Sequence, residues 1–600
     1  MIKMKKDELL AKLKKSYKPE YLANQLAYKM SKECEYNKND FLTDFLNRTK
    51  EDIKIQNELS GYEYTIEDVQ NLFEGSIDNQ EKKQNGIVYT PKYIVDYIIE
   101  NTIDLETIEK KIVVDPACGC GAFLTGLISK LSNLSSEKLS AFISNNLFGF
   151  DLNPSCKSDV ELVIQLQLQL MNKSSNEIKI NVITIDSLFE NWENYLPAQP
   201  NYVIGNPPYV KVQNLKKEYI DKLKSTFVTT KSGGFNLFYA FIEKSMNSLI
   251  EKGKLGFITP NNFLKTRSGF NLRKYISSNK YLKTIIDFDC NMIFSPVMTY
   301  NCILFMDKAE NENIDYAVME RTTDIEKELD LLEFKNISVE ALDNDGWLLL
   351  SESIREKIKR IQSFENKIDK QIKTGIATLR DKLYIIDKII DGKYYKIYNE
   401  ELYEIEHTLL RPLYKVSDIY DSKNIKFNEK YIIFPYDENI TKPKPLSESI
   451  LKERYPLTYK YFEAIKPLLD ERSKFKFSVY YEYGRSQGIN NTGRKLMYSQ
   501  FLGKPKFILC EDERALICNG FAIYEDERLD LICLQKILQS SVMDFYIKNT
   551  SYSIEGGFHC YQKKYLKGFS YPTLTNEQIQ YLKNETDEKK MNKFIYDLYF

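Results

Sequence analysis

The stretch Val113–Leu124, VVDPACGCGAFL, places a short apolar strand directly before a glycine-bearing turn and a helical pattern. The strand ends at Asp115, and Gly119 and Gly121 follow in the turn. Glycines let a ligand approach the backbone, and the amide groups that open the next helix point toward that ligand. The pattern is neither the GxGxxG dinucleotide fingerprint nor the lysine-bearing P-loop. It indicates a site for a nucleotide-like ligand, with a simple tight turn as the alternative.

Short apolar, β-branched runs alternate with helical patterns from about Gly86 to Asp307. Such alternation predicts a doubly wound, Rossmann-like α/β domain in which the sheet is largely parallel. The predicted strands read, in chain order, KIVVD, LFGFD, KINVITID, YVIGN, KLGFITP and YNCILFM.

Each of the first four predicted strands ends in a polar residue, namely Asp115, Asp151, Asp186 and Asn206. Open α/β sheets bind ligands at the carboxyl edge, where parallel strands end. One polar end would carry little weight, but four in succession indicate a ligand site. Asp151, at the end of the second strand, has the position at which such folds hydrogen-bond ribose hydroxyls.

The patterns divide the chain into four regions. Residues 1–80 read as helices with polar breaks, because apolar residues recur at spacings of three and four. Residues 81–308 form the α/β domain, and we expect a linker region at 309–345. Residues 346–600 mix aromatic-rich strands and helices without βαβ regularity, which predicts a second, α+β domain.

Length and composition bound the class of protein. The 600 residues are too many for one core, and 43% apolar and 28% charged residues are typical of a soluble globular protein. The sequence has no apolar run of about 18 residues and no signal-peptide start, so we expect a cytoplasmic protein that does not associate with membranes. Ten cysteines without a paired framework and two histidines favour reduced thiols and no metal site, even at Cys118-x-Cys120.

The formal net charge of −1 hides a basic segment. Residues 441–510 contain 14 Lys and Arg against 6 Asp and Glu, with aromatic residues between them. Basic side chains neutralise phosphates and aromatic rings pack or stack, so this segment is a candidate nucleic-acid surface. A solvated surface in a lysine-rich chain is an equally weighted alternative.

Two motifs contain proline at defined positions. In GIVYTP, Thr90 followed by Pro91 reads as an N-cap with proline at the first helical position, and a well-made helix start is enough to explain it. In YVIGNPPYVK, Pro207 and Pro208 end a strand, because two prolines can neither continue a ladder nor enter a helix interior. They create a rigid, extended corner between Asn206 and Tyr209.

The ordered motifs DPACGCGAFL, GFDLNP, ITIDSLF and NPPY resemble those of S-adenosylmethionine-dependent DNA adenine-N6 methyltransferases. GIVYTP precedes them, and GGFNLFYAFIEKS, GKLGFITPNNFL and IFSPVMTYNCILF follow. This order, with a target-recognition domain last, is similar to the γ class of restriction–modification and phage-defence systems. The resemblance covers about residues 80–308 closely and continues more loosely in KTGIATLRDKLYII, LLRPLY, KYIIFPY and GGFHCYQKKYLKGFSYP.

The resemblance implies a role for each residue that matches a family motif. It places the methionine end of S-adenosylmethionine at the glycine turn and at the TP motif, the ribose at the second strand end, and the adenine at the third. The flipped target base would pack against Tyr209 and Phe294, although Phe294 also reads as a core residue. The implied cofactor-binding residues are Tyr89, Thr90, Pro91, Asp115, Pro116, Ala117, Cys118, Gly119, Gly121, Asp151, Leu152, Asp186, Ser187 and Asn206.

The NPPY corner suits transfer to a planar amine. Hydrogen bonds from an adenine amine to the side-chain oxygen of Asn206 and the carbonyl of Pro207 would stabilise the positive charge that develops on the nitrogen. Pro208 keeps both acceptors fixed, and Tyr209 can stack on the base. A base inside a duplex cannot reach such a corner, so the enzyme must flip it out. The expected partner is double-stranded DNA.

Several alternatives stay open. NPPY also serves enzymes that methylate protein glutamine or RNA guanine, and cytosine-N4 methyltransferases are chemically close. A fused restriction–modification enzyme would need a nuclease domain, for which residues 1–80 are few. We expect a monomer, with a restriction or defence-system subunit as an alternative partner. For DNA contacts the sequence suggests Arg380, Lys382, Arg485, Gln487, Arg494 and Lys495, since arginine and glutamine read bases and lysine contacts phosphates.

Overall fold

The structure is a computed structural model of the 600-residue chain. It describes residues 2–75, 89–289, 291–294, 299–319, 322–342, 344, 346–419, 425, 429–437, 443–472, 477–528, 530–554 and 556–600. Residues 86–88 of the GIVYTP motif and residues 295–298 therefore lie outside the described residues, as do Lys474 and Lys476 of the basic segment. The chain forms two compact units, Met1–Ser351 and Glu352–Phe600.

Within the described residues, the first unit contains a nine-stranded sheet in the order β3-β2-β1-β4-β5-β7-β6-β8-β9. Its strands are β1 Val113–Asp115, β2 Leu147–Asp151, β3 Asn181–Thr184, β4 Tyr202–Gly205, β5 Lys254–Pro260, β6 Leu282–Asp287, β7 Asn301–Asp307, β8 Asn313–Val318 and β9 Lys335–Ser338. Strands β3, β2, β1, β4 and β5 pair in parallel, and β7 runs antiparallel between β5 and β6. The predicted α/β class with a largely parallel sheet is confirmed.

Helices cover both faces of this sheet. Val113 and Val114 point to opposite faces of β1 and belong to two different hydrophobic clusters, as expected for a parallel strand buried on both sides. The helices of the unit are α1 Ile2–Leu13, α2 Pro19–Glu33, α3 Asp40–Arg48, α4 Ile53–Leu59, α5 Ile66–Gly75, α6 Lys92–Thr102, α7 Ala122–Lys130, α8 Ser136–Asn146, α9 Ser155–Leu170, α10 Lys217–Thr226, α11 Phe238–Ser248, α12 Phe270–Ser278 and α13 Ile325–Leu329.

The amino-terminal helices α1 to α5 pack on α9. One side of α9 packs toward the sheet, whereas Leu162, Val163 and Leu166 share a separate cluster with α1 to α5. Because α9 packs against other elements on two sides, apolar side chains occupy both sides of its run VELVIQLQLQL. Its glutamines are paired: Asn39 Nδ2 donates to Gln165 Oε1 at 2.6 Å, and Ser31 Oγ donates to Gln169 Oε1 at 2.7 Å.

The segment 309–345, which the sequence suggested as a linker, contains the strands β8 and β9 and the helix α13. Strand β8 pairs in parallel with β6, and β9 pairs antiparallel with β8 at the edge of the sheet. The segment therefore extends the sheet of the first unit.

The second unit mixes small sheets with helices. Its described strands are β10 Asn366–Lys367, β11 Ile372–Thr374, β12 Lys388–Ile390, β13 Lys393–Tyr398, β14 Glu401–Ile405, β15 Leu410–Lys415, β16 Glu429–Ile433, β17 Lys495–Tyr498, β18 Phe501–Leu502, β19 Ile508–Cys510, β20 Leu516–Cys518, β21 Phe521–Tyr524, β22 Ser553–Ile554, β23 Phe558–Cys560 and β24 Ser570–Tyr571. Its helices are α14 Glu352–Gln362, α15 Asp381–Tyr384, α16 Glu448–Arg454, α17 Pro456–Asp470, α18 Leu531–Leu538, α19 Ser541–Thr550, α20 Lys563–Leu566, α21 Asn576–Asn584 and α22 Glu588–Tyr599.

Aromatic side chains dominate the core of the second unit. Tyr384, Phe462 and Tyr483 are buried in one cluster, and Tyr384 meets Tyr483 edge to face at 5.1 Å between ring centroids. Buried Arg472 donates to the carbonyls of Thr378 and Tyr480, among others, and so joins two loops. Among the helices described in either unit, none combines the length and the apolar character that a membrane span requires.

Replacing Leu166 by alanine should destabilise the first unit by about 2–5 kcal/mol, because Leu166 is 0% exposed between α9 and the amino-terminal helices. Leu170, on the same helix, is 36% exposed, so Leu170→Ala is the matched control and should change stability far less. Urea unfolding of both variants measures the difference. Equal losses would contradict the docking of α1 to α5 on α9.

Candidate functional site at the carboxyl edge of the sheet

The four polar residues at the predicted strand ends meet at one edge of the sheet. Asp115 and Asp151 are the last residues of β1 and β2, Asp186 follows β3 by two residues, and Asn206 directly follows β4. Because β3, β2, β1 and β4 are parallel neighbours, their carboxyl ends lie side by side. The structure therefore brings these predicted site residues together.

The glycine turn after β1 is open at Gly119 and packs closely against helix α9 at Gly121. Gly119 has a φ of +49°, and a Cβ at this position would meet no atom within 4 Å. Gly121 has a φ of +81°, and a Cβ there would lie 3.0 Å from Cγ1 of Val160 on α9. Cys118 is buried, and burial raises the pKa of its thiol well above the usual value, which makes it a poor nucleophile.

Asp115 is buried between this turn and β4. The backbone N–H of Ala117 donates to Asp115 Oδ1 at 3.1 Å, and a Cβ on Gly205 would lie 2.8 Å from the same oxygen. The carboxyl group is 2% exposed, and its burial raises its pKa to about 8. Asp115 therefore contacts both the glycine turn and the strand that leads into NPPY.

Asp151 holds the turn from the second strand. Its Oδ2 accepts from the backbone N–H of Gly119 at 2.9 Å, and its Oδ1 accepts from that of Asn153 at 2.8 Å. The carboxylate is half-exposed, and the next side chain, Leu152, is 68% exposed beside it. An exposed apolar side chain next to an oriented carboxylate is suited to a ligand that is part apolar ring and part sugar.

Asp186 and Ser187 tie the third strand end to its neighbours. Ser187 Oγ donates to the carbonyl of Pro116 at 2.7 Å, which joins the third loop to the glycine turn. The Tyr219 hydroxyl donates to Asp186 Oδ2 at 3.1 Å, and the Leu188 N–H donates to Oδ1 at 3.2 Å. Burial raises the pKa of Asp186 above its usual value.

Thr90 does not cap the helix that follows it, which corrects the expectation from sequence. Helix α6 begins at Lys92, Pro91 occupies the N-cap position, and the structure shows no side-chain cap there. The Thr90 hydroxyl, 4% exposed, instead accepts a hydrogen bond from Asn206 Nδ2 at 3.0 Å. Thr90 therefore binds the side-chain amide of Asn206, and Pro91 takes the N-cap position of the helix.

Tyr209 and Phe294 lie next to each other, with ring centroids 6.3 Å apart. The Tyr209 hydroxyl donates to the Ile258 carbonyl at 3.3 Å and accepts from Asn301 Nδ2 at 3.2 Å. Phe294 is 3% exposed and belongs to a hydrophobic cluster, so it has the packing of a core residue as well as contact with Tyr209. Pro207 is buried and Pro208 is half-buried.

Three residues that make contacts at this edge were missed from the sequence. Gln70 of α5 donates to the Cys120 carbonyl at 3.1 Å and to the Thr125 hydroxyl at 3.0 Å, so an amino-terminal helix supports the glycine turn. Tyr219 reaches Asp186, and Lys222 lies 3.9 Å from the ring centre of Phe189. No local signal marks these residues, since their partners are distant in sequence.

The residues suggested for DNA contact lie in the second unit, and the structure distinguishes among them. Arg380, Lys382 and Arg485 are exposed, although Arg380 pairs with Glu471, and Gln487 donates to the Gly375 carbonyl at 2.9 Å. Arg494 is paired with Glu511 and Glu525.

Lys495 corrects the expectation, because it is 0% exposed and cannot present its charge to DNA. Its Nζ donates to the carbonyls of Gly493 and Asp512 at 2.9 and 2.8 Å, and burial lowers its pKa. Those carbonyls come from the fold around β17, which the sequence pattern did not show.

The larger of two described cavities lies away from this edge. It has a volume of about 770 Å³ and is lined by the starts of strands, including Ile112, Phe148 and Asn181. The residues that line this cavity do not include the four polar strand-end residues of the candidate site.

Residues 145–294, which include β2, Asp151, Asp186 and the NPPY corner, match the family of Eco57I restriction-modification methylases. The first unit is thus similar to restriction-modification methylases.

Two relatives are similar over most of the chain. The type II restriction enzyme and methyltransferase RM.Eco57I of Escherichia coli is 25% identical over 79% of this chain, which spans 56% of that protein. The type II methyltransferase M.BstVI of Geobacillus stearothermophilus is also 25% identical, over 84% of this chain and 93% of its own length. Among solved structures, the type IIL restriction-modification enzyme MmeI in complex with DNA has the same fold over 96% of this chain and 87% of its own, with a TM-score of 0.64 at 14% identity.

The buried Asp115 should make stability depend on pH. Its carboxyl titrates near pH 3.9 in an unfolded chain and at about 8 in the folded one, so folded protein loses stability from this group as pH rises through that window. Asp115→Asn removes this loss. Urea unfolding at pH 5 and 7.5, without cofactor, measures the free energy of unfolding. Between these two pH values, the free energy of unfolding of the variant should rise relative to that of the unmodified protein by up to about 3 kcal/mol. A pH-independent difference would contradict the buried carboxyl.

Proposed function

We propose that the chain is a DNA methyltransferase that transfers a methyl group from S-adenosylmethionine to the N6 amine of a flipped-out adenine. The observation that carries the proposal is the position of NPPY, at the same sheet edge as Asp115, Asp151 and Asp186 and with Asn206 hydrogen-bonded to Thr90. The similarity to type II methyltransferases supports it.

The residues at the edge fit S-adenosylmethionine. The open space above Gly119 can take the methionine end, the half-exposed carboxylate of Asp151 can accept from ribose hydroxyls, and Asp186 can accept from the adenine amine. Leu152 offers an exposed apolar face to the adenine ring. The cofactor supplies an activated methyl group bonded to a sulfonium.

The contribution of NPPY is to hold two oxygen acceptors in place. The hydrogen bond from Asn206 Nδ2 to Thr90 fixes the orientation of the amide, and we infer that its oxygen accepts from the target amine. The Pro207 carbonyl is the second acceptor, and Pro208 restricts the backbone that presents it. Acceptors already in position stabilise the positive charge that develops on the amine during transfer.

The ring of Tyr209 is the surface on which the extruded base stacks. Its hydroxyl is held from two sides by Ile258 and Asn301, so the ring is fixed before the base arrives. Phe294, in contact with Tyr209, closes the apolar side of the same position. Stacking on aromatic rings offsets part of the free energy of unstacking the base from the duplex.

The second unit, Glu352–Phe600, is the proposed target-recognition domain. The candidates that stay exposed are Lys382 and Arg485, together with Arg380 if DNA displaces Glu471. RM.Eco57I is named as both a restriction enzyme and a methyltransferase, and this chain spans 56% of it. A cleavage assay beside the methyl-transfer assay therefore tests whether the chain also cuts DNA. Magnesium-dependent cutting of duplex DNA would favour a fused enzyme.

Asn206→Ala should lower methyl transfer to duplex DNA by a factor of about 100–1,000, because it removes one preorganised acceptor. Cofactor affinity, measured by calorimetry, should stay close to that of the unmodified protein. Asp151→Ala should instead weaken cofactor binding, because it removes the proposed acceptor for the ribose hydroxyls. Asn145→Ala, an exposed asparagine at the opposite edge, is the control and should change neither quantity. Normal transfer by Asn206→Ala would contradict the mechanism, and transfer to RNA or protein instead of DNA would contradict the substrate.

Tyr209→Phe and Tyr209→Ala separate the ring from its hydroxyl. The ring carries the stacking, so Tyr209→Phe should retain most of the rate, whereas Tyr209→Ala should lose at least about tenfold. Fluorescence of 2-aminopurine at the target position reports whether the base still leaves the stack. A phenylalanine variant as inactive as the alanine variant would show that the hydroxyl, and not the ring, is required.

A further inference from the structure

An excursion of the chain, residues 211–234, begins directly after the NPPY corner. Its two ends are joined: the Val212 N–H donates to the Phe235 carbonyl at 3.1 Å, and the Leu237 N–H donates to the Val210 carbonyl at 2.8 Å. Helix α10, Lys217–Thr226, lies inside it. Whatever the excursion contacts is therefore close to the base-holding position at Tyr209.

The excursion is basic in a chain that is nearly neutral. It contains six lysines against Glu218 and Asp221, whereas the whole chain has a net charge of −1. All six lysines are exposed. Within the part of the chain that the structure describes, none of them forms an ion pair, including with the two acids of their own helix. These six are Lys211, Lys216, Lys217, Lys222, Lys224 and Lys231.

The orientation of α10 is fixed by its inner side. Leu223 is fully buried, Tyr219 donates to Asp186, and Lys222 lies over the ring of Phe189. The exposed positions Lys217 and Lys224 are therefore held on the outer side of a helix that is anchored to the proposed cofactor site. Six lysines against two acids leave the excursion with a net charge of +4, and this excess on a fixed support produces a positive field.

Two basic residues of the segment 441–510 in the second unit behave differently. Arg494 is paired with Glu511 and Glu525, and Lys495 is buried on backbone carbonyls. The basic segment identified from the sequence therefore has part of its charge neutralised within the protein. The excursion keeps its lysines available.

We propose that the exposed surface of the excursion, which carries Lys216, Lys217, Lys224 and Lys231, binds the phosphate backbone of the DNA strand next to the flipped adenine. This inference rests on the proposed function, because it takes its DNA from that reaction. Helix α10 is about 15 Å long, which matches about four phosphates along one strand. Contacts to phosphates beside the target position hold the backbone while the base is rotated out of the stack.

The variant that tests this face is Lys216→Gln/Lys217→Gln/Lys224→Gln, which leaves Lys222 and the buried side of α10 unchanged. The control is Lys110→Gln/Lys179→Gln/Lys252→Gln, three exposed lysines that precede the parallel strands β1, β3 and β5 at the opposite edge. Both variants remove the same charge from the same unit. Any difference between them therefore reports position and not net charge.

Anisotropy of a fluorescein-labelled duplex of about 30 base pairs and mixed sequence, between 50 and 200 mM salt, measures backbone binding independently of the recognition sequence. The α10 variant should show a slope of log K against log salt that is smaller by about two to three, and affinity weaker by about tenfold or more, because each phosphate contact contributes about 0.9 to the slope. The control variant should keep the unmodified slope, and equal cofactor affinity in all three proteins shows that they are folded.

Two results overturn the inference and are distinguishable from each other. If the unmodified protein methylates DNA but the α10 variant keeps its slope and affinity, or loses no more than the control, this face does not contact the backbone. If the unmodified protein neither binds nor methylates DNA, the proposed function fails and the inference fails with it.

Discussion

The parallel pairing of β3, β2, β1 and β4 is the constraint on which the candidate site depends. Parallel strands end at the same edge of a sheet, so four residues separated by up to 91 positions, from Asp115 to Asn206, are brought to one side of the domain. The hydrogen bonds among their loops then fix the details. Ser187 donates to the Pro116 carbonyl and Asp151 accepts from the Gly119 N–H, so the loops after β3 and β2 both support the glycine turn after β1.

The amino-terminal helices are part of this arrangement. They cover the outer side of α9, and Gln70 extends from α5 to the carbonyl of Cys120 in the glycine turn. The next segment that the structure describes, from Tyr89, leads to Thr90 and the hydrogen bond with Asn206. The amino-terminal helices therefore support the glycine turn next to which the cofactor is proposed to bind. The same turn is also held by the loop after β3, through Ser187.

The sequence predicted the parallel part of the fold because each strand there is a local signal, an apolar run followed by a polar residue and a turn. It did not predict β6, β8 and β9, since their partly exposed patterns are weak local signals and β8 and β9 pair only beyond β6. The site shows the same division. The strand-end residues were identified, whereas the partner of Thr90 lies 116 positions away and one of the two carbonyls that bind buried Lys495 belongs to Asp512, 17 positions away. Local patterns carry no information on such contacts.

Identification of the modified nucleoside tests the central claim most directly. Duplex DNA incubated with the protein and methyl-labelled S-adenosylmethionine would be digested to nucleosides and separated by mass spectrometry. The account predicts label in N6-methyl-2′-deoxyadenosine, because we propose that Asn206, Pro207 and Tyr209 hold the exocyclic amine of an extruded adenine. Label in N4-methylcytosine, or label absent from DNA while cofactor still binds, would contradict it.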